Sequence, residues 1–175
     1  LLRKVRAQVR KMADANDSLA ALVLGACYFQ ARQYDEAQKL LSSYEKTGGV
    51  LAYEMLGLMK QYIEKDEKAA LDCYTKAVKN KMYHAYVLMG ALYWAGAFDN
   101  GIAANLETKA YLCGNKARDY YQKASKHNQP EGAYEMAGTC FLGSEEYDKW
   151  CAIAKKQGYK KGMKSWTSDI EEFNQ

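Results

Sequence analysis

Ala85-Tyr-Val-Leu-Met-Gly90 decides the fold, because its pattern, Ala-x-x-x-apolar-Gly, stands at three other places in the chain. It reads Ala20-Ala-Leu-Val-Leu-Gly25, Ala52-Tyr-Glu-Met-Leu-Gly57 and Ala133-Tyr-Glu-Met-Ala-Gly138, and the tetrapeptide Ala-Tyr-Glu-Met occurs twice. Three residues past the glycines stand Tyr28, Lys60, Tyr93 and Phe141. A second pattern follows each first one: Ala70-Leu-Asp-Cys-Tyr74-Thr-Lys-Ala77, then Ala117-Arg-Asp-Tyr-Tyr121-Gln-Lys-Ala124. Weaker copies are Ala37-Gln-Lys-Leu-Leu41-Ser-Ser-Tyr44 and Trp150-Cys-Ala-Ile-Ala154. Spacings of four and three put these side chains on one helical face. One such hexapeptide means little, but four in register describe an internal repeat.

Each repeat therefore predicts a pair of antiparallel helices. Gly and Ala at their crossing let the backbones approach, and the aromatic one turn on is expected to fill the gap beside them. Glycine-to-glycine spacings of 32, 33 and 48 match the ~33–34-residue period of helix-pair arrays twice. The third spacing holds an insertion, placed near residues 98–112 in the turn joining the helices of repeat three. Gly96-Ala-Phe-Asp-Asn-Gly101 reads as loop, and Ala103 to Leu112 as a short extra helix. Asp17 and Ser18 suit a helix start, as does Pro130.

The paired motifs resemble the Sel-like repeat branch of the tetratricopeptide superfamily. Lys116-Ala117-Arg-Asp-Tyr120-Tyr121-Gln-Lys123-Ala124 follows that pattern closely, Trp150 to Gly158 does so in part, and Tyr93-x-x-Gly96 fits. The first repeat, with Gly25, Tyr28 and Ala37, looks closer to the parent tetratricopeptide motif. Departures are the insertion, Lys60 in place of an aromatic, and the missing Gly-Val turn of repeats one and two. The resemblance implies an all-α fold, a right-handed α-solenoid of about four helix pairs, one with an insertion. Within it, residues 1–16 read as a helix completing a preceding, truncated repeat, since Leu2, Val5, Val9 and Met12 form one apolar stripe. Residues 17–158 form the array, and residues 159–175 a C-terminal capping helix whose polar face carries Ser168, Asp169, Glu171 and Glu172.

Charge and cysteine usage narrow the function classes. The net charge is +4, of which residues 1–12 hold +5 in Arg3, Lys4, Arg6, Arg10 and Lys11, so the remainder sums to −1. That distribution argues against nucleic acid as partner, which requires cations spread along a face. The longest apolar run, Leu19 to Phe29, is far short of the ~20 residues of a membrane span. Cys27, Cys73, Cys113, Cys140 and Cys151 are odd in number and form no CxxC pair, which points to free thiols in a reducing, cytoplasmic setting.

The chain shows no reactive signature. It has no Gly-x-Ser-x-Gly, phosphate loop or dinucleotide glycines, and neither His84 nor His127 has a metal-ligand partner at helical spacing. It is expected to be no enzyme, with no catalytic residue, no metal site and no cofactor. Asn16-Asp17-Ser18 matches a glycosylation sequon, but use of Asp and Ser at a helix start is the stronger explanation. The resemblance implies an interaction scaffold or adaptor that holds a segment of another protein on the concave face lined by first helices. Counting from the glycines, the inward positions comprise Phe29 and Gln30; Glu54, Gln61 and Tyr62; Val87 and Trp94; and Glu135. Phe29, Tyr62 and Trp94 are the expected anchors. The Lys/Arg/Asn cluster with which some co-chaperones hold a peptide C-terminus is missing. Two alternatives stand beside the scaffold: a dedicated chaperone or immunity protein for a secreted effector, and a secreted ligand-binding or hydrolase relative stabilised by paired cysteines. Denatured protein treated with a thiol-reactive dye is expected to report all five cysteines as free; paired cysteines would favour the secreted alternative.

Overall fold

The structure, a computed structural model, describes residues 2–15, 17–46, 49–95 and 106–160, the side chains of 2–6, 18 and 106–113 excepted. Every regular element among them is a helix: α1 Leu2–Asp14, α2 Ser18–Gln30, α3 Tyr34–Lys46, α4 Tyr53–Tyr62, α5 Glu67–Lys79, α6 Ala85–Trp94, α7 Leu106–Lys126, α8 Pro130–Gly138 and α9 Glu145–Lys156. Each repeat contributes one pair, α2 with α3, α4 with α5, α6 with α7 and α8 with α9. The fold is all-α, of the helical-repeat solenoid class. Two compact units divide the chain, Leu1–Asn80 and Lys81–Gln175.

Local chemistry sets the helix ends. Asp17 accepts from the amides of Leu19 and Ala20, both at 3.0 Å, which makes it the N-cap of α2. Asp66 caps α5 through Ala69 N and Ser144 caps α9 through Tyr147 N. Each removes an orphan donor of a first turn. Pro130 occupies the first turn of α8, where its missing N–H costs nothing. The chain leaves three second helices through a left-handed residue two places past the last helical one: Lys81 (φ 64°), Asn128 (φ 56°) and Gly158 (φ 98°). It enters three second helices through another, Arg32 (φ 58°), Lys65 (φ 57°) and Gly143 (φ 76°). Repeats one and two thus keep the glycine turn without the glycine. Hydrogen bonds hold it, Gln33 N donating to Tyr28 O at 2.9 Å in the first and Asp66 N to Lys60 O at 2.8 Å in the second.

In the first unit α1 packs on α2, and the pairs α2–α3 and α4–α5 meet through α3 and α4. Their seam is the glycine. A methyl group on Gly57 would overlap the ring of Tyr74, and one on Gly25 would lie 2.9 Å from Leu41 Cγ. Tyr74 is fully buried, and its hydroxyl donates to Gln61 Oε1 at 2.9 Å. The gap at the glycine is therefore filled from the second helix of the pair rather than by the aromatic one turn on. Around this seam Gln38 and Lys60 both reach Glu64, at 3.0 and 2.7 Å.

The second unit repeats the seam once and then departs from it. Gly90 meets Tyr121 as Gly57 meets Tyr74, inside a cluster of Val87, Ala117, Tyr121, Ala124 and Met136. Gly138, by contrast, has nothing within 4 Å of a built methyl. Helix α8 ends at that glycine, and Cys151 stands where the other second helices carry a ring or Leu41. Phe141, expected to pack, is 90% exposed because no helical turn follows Gly138 to place it. Repeat four is joined to α7 by the packing of Met136 and by polar links. Arg118 Nη1 donates to Thr139 Oγ1 at 2.8 Å and its Nη2 to Glu146 Oε1 at 2.7 Å. Gln157 Nε2 donates to Ser125 O at 2.7 Å. Gly132 sits directly on α7, with Ser125 N and Tyr121 O each 2.8 Å from a built methyl.

The insertion differs from expectation in one respect. Residues 106–112 do not form a separate short helix; they run on into α7, which at 21 residues exceeds α3 and α5 at 13 each. Residues 96–105 and the expected capping helix beyond Lys160 lie outside the described residues.

Urea unfolding of glycine variants separates these environments. Gly90→Ala is expected to cost about 1–3 kcal/mol through overpacking, and Gly132→Ala at least as much because backbone cannot yield. Gly138→Ala is expected to be neutral or stabilising by about 0.5 kcal/mol. Lys65→Gly, which removes a left-handed side chain, is expected to stabilise by about 1 kcal/mol; equal midpoints for it and the parent would mean the turn carries no strain.

Candidate partner-binding surface

The expected inward positions fall into three environments. Val87 is 2% exposed and belongs to the core cluster with Met136 of α8, so it is no surface residue. Its position, three before the glycine, lies where the next first helix packs. Phe29 is also a correction: it is buried, its ring set edge-on against Tyr34 at 5.9 Å, where α3 begins. Gln61 is half-buried and engaged by the Tyr74 hydroxyl. Glu54, Tyr62 and Glu135 are half-buried, and Gln30 is exposed. Trp94 is 55% exposed at the end of α6, with Gly114 of α7 beside its ring at 3.7 Å for a built methyl. Phe29, Gln30, Glu54, Gln61 and Tyr62 belong to the first unit, and Val87, Trp94 and Glu135 to the second.

A more extensive feature of the second unit comes from residues assigned at most to packing or solvent in the sequence. Five rings lie in a near-parallel row. His127 stacks on Tyr83 with centroids 3.7 Å apart and planes at 12°. Tyr83 neighbours Tyr86 at 6.4 Å, Tyr86 neighbours Tyr120 at 6.2 Å, and Tyr120 neighbours Tyr93 at 5.5 Å. Tyr86 and Tyr93 stand seven residues apart on one face of α6, and Tyr83 lies three residues before Tyr86 in the turn that leads into the helix. Tyr120 lies on α7, and His127 follows seven residues later in the turn just past its end. The tyrosines are half-buried and His127 exposed. Lys116 and Lys123 place their ammonium groups 5.8 and 5.1 Å from the Tyr120 centroid. Lys123 is also paired with Asp119 at 2.8 Å. Burial, followed by the neighbouring Tyr93, pushes the Tyr120 phenol above its ordinary range. The i, i+3, i+10 spacing of Tyr83, Tyr86 and Tyr93 was available in the sequence as a signal.

Among the described residues no group of three or more His, Cys, Asp or Glu is placed to hold a metal ion. Cys27, Cys73, Cys140 and Cys151 carry free thiols, and burial pushes the Cys73 thiol up, away from thiolate reactivity. Among the described residues no helix is long and apolar enough to cross a membrane.

Paired helices with a glycine seam and left-handed turns define a helical-repeat protein. The particular fold is that of Sel-like repeats. A Sel1 repeat protein from Oxalobacter formigenes superposes with a TM-score of 0.66 at 21% identity, over 89% of this chain and 64% of that one. Protein c5321 of uropathogenic Escherichia coli, a protective antigen with a Sel-like repeat fold, matches with a TM-score of 0.66 at 24% identity, over 88% of this chain and 33% of that one. The chain thus spans less than two thirds of either structure. No protein-family model matches the sequence, and neither does any curated protein.

The tyrosine environments predict an alkaline weakness. Burial and the stacked Tyr134 hold the Tyr159 phenol protonated up to about 12, and burial raises Tyr74 well above its ordinary value. Unfolding frees both to ionise near pH ~10. Stability is therefore full below about pH 10 and declines between about 10 and 12. Tyr159→Phe is expected to flatten that decline in denaturant midpoints measured against pH; an unchanged slope would exclude Tyr159 as a contributor.

Proposed function

We propose that this protein is a non-catalytic interaction scaffold that holds a segment of a partner protein on its first-helix faces. The observation that carries this reading is Trp94. Repeat three seats Tyr121 in the notch at Gly90 but leaves this indole 55% exposed, and exposed aromatics rimmed by helix are the usual anchors of protein association. Tyr62 and Gln30, half-buried and exposed on the first helices of the other unit, stand one motif position further along, five past their glycines. The Sel-like repeat fold supports the same reading by analogy, since helical-repeat folds present extended surfaces rather than enclosed pockets. The free thiols support placing that role in a reducing compartment such as the cytoplasm.

The test is affinity capture from the native host with the parent and with the Tyr62→Ala/Trp94→Ala double variant, their folding compared by thermal melts. A stoichiometric protein held by the parent and lost by the folded double variant supports the scaffold. A partner retained equally by both removes Trp94 and Tyr62 from the interface. Capture of no protein at all would count against the scaffold reading itself.

A further inference from the structure

We propose that the ring row of the second unit is a binding site for an extended, proline-bearing acidic peptide segment. The proposal stands on residues other than Trp94 and Tyr62 and does not depend on the reading above. Three observations carry it. The first is shape. Tyr86 and Tyr93 lie two turns apart on α6, about 10 Å along the axis, with Tyr120 of α7 between them and Tyr83 stacked on His127 beyond the helix start. Such a row takes about five residues of polyproline-type chain at ~3.1 Å each, and flat aromatic surfaces are what proline rings dock on.

The second observation is charge. At the Tyr120 end Lys116 has its ammonium 5.8 Å from the ring centroid and has no carboxylate partner among the described residues. Lys123 alongside is already neutralised by Asp119. One uncommitted ammonium beside an aromatic row matches a peptide carrying one or two carboxylates. It does not match a polyanion, whose affinity comes from a track of cations displacing counterions.

The third is how the rings are used. The closest pair, His127 on Tyr83 at 3.7 Å, fills the face that a nucleobase would need for stacking. The remaining neighbours are near-parallel at 5.5–6.4 Å, which leaves no gap wide enough to admit a base between two rings.

The experiment is fluorescence anisotropy on the full chain with a dye-labelled peptide of repeated Glu-Pro-Pro triplets. A Lys-Pro-Pro peptide and a uridine oligonucleotide serve as comparison probes. The acidic peptide is expected to bind, the basic one to bind about tenfold more weakly or not at all, and the affinity to fall about tenfold in Tyr83→Ser and in Lys116→Glu. Lys116 is exposed, so its charge reversal leaves packing intact, and thermal melts confirm the fold of both variants. Three outcomes overturn the proposal: no binding up to about 1 mM peptide, binding indifferent to both variants, or a preference for the basic peptide or the oligonucleotide.

Discussion

The structure depends on a ring laid over a backbone that has no side chain. Gly57 and Gly90 each receive a tyrosine from the partner helix, and the tyrosines so placed are 0% and 2% exposed. A methyl at either glycine would collide with the ring, and the ring fills the volume that helix separation would otherwise leave empty. Interiors packed to crystalline density tolerate neither overlap nor void, so glycine and ring constrain each other. Repeat one relaxes the pair to Gly25 and Leu41 without losing contact. Repeat four abandons it, and there the polar links of Arg118 and Gln157 to neighbouring helices take over the positioning.

The turns obey a different constraint. The left-handed backbone recurs before α3, α5 and α9, yet its residue is Arg32, Lys65 or Gly143. In repeats one and two the bend accompanies the seam, because the second helix must start where Leu41 or Tyr74 meets the glycine, whereas in repeat four Gly143 adopts it without one. A non-glycine residue accepts the strain because packing on both sides outweighs it. Packing is therefore the conserved quantity between these repeats, and turn composition is free to vary around it.

This explains which parts were legible from residues alone. Helix pairing, the Asp17 cap and Pro130 follow from local patterns, and each is where the pattern placed it. The exposure of the expected inward positions did not follow, since burial three residues before a glycine is decided by the adjacent first helix. Val87 is closed by Met136, some fifty residues away in sequence, while Glu135 at the same motif position is half-buried. The ring row was harder still. Its members come from the turn before α6, from α6 and from α7, and His127 stands alone in a polar stretch. Only the folded arrangement shows that it lies on Tyr83.

Tyr120 and Tyr121 connect these themes. They are adjacent in sequence and about 100° apart around α7. Tyr121 turns inward and lies under Gly90, fully within the core. Tyr120 consequently turns to the flank of the pair, where it meets Tyr86 and Tyr93 and draws Lys116 and Lys123 over its face. Seating one ring fixes the rotation of the helix, and that rotation aims the next ring outward. A substitution that disturbs Tyr121 would therefore also move the surface row, coupling stability of the seam to geometry of the flank. In this repeat an aromatic surface is a geometric consequence of an aromatic core, available for binding without any change to what holds the helices together.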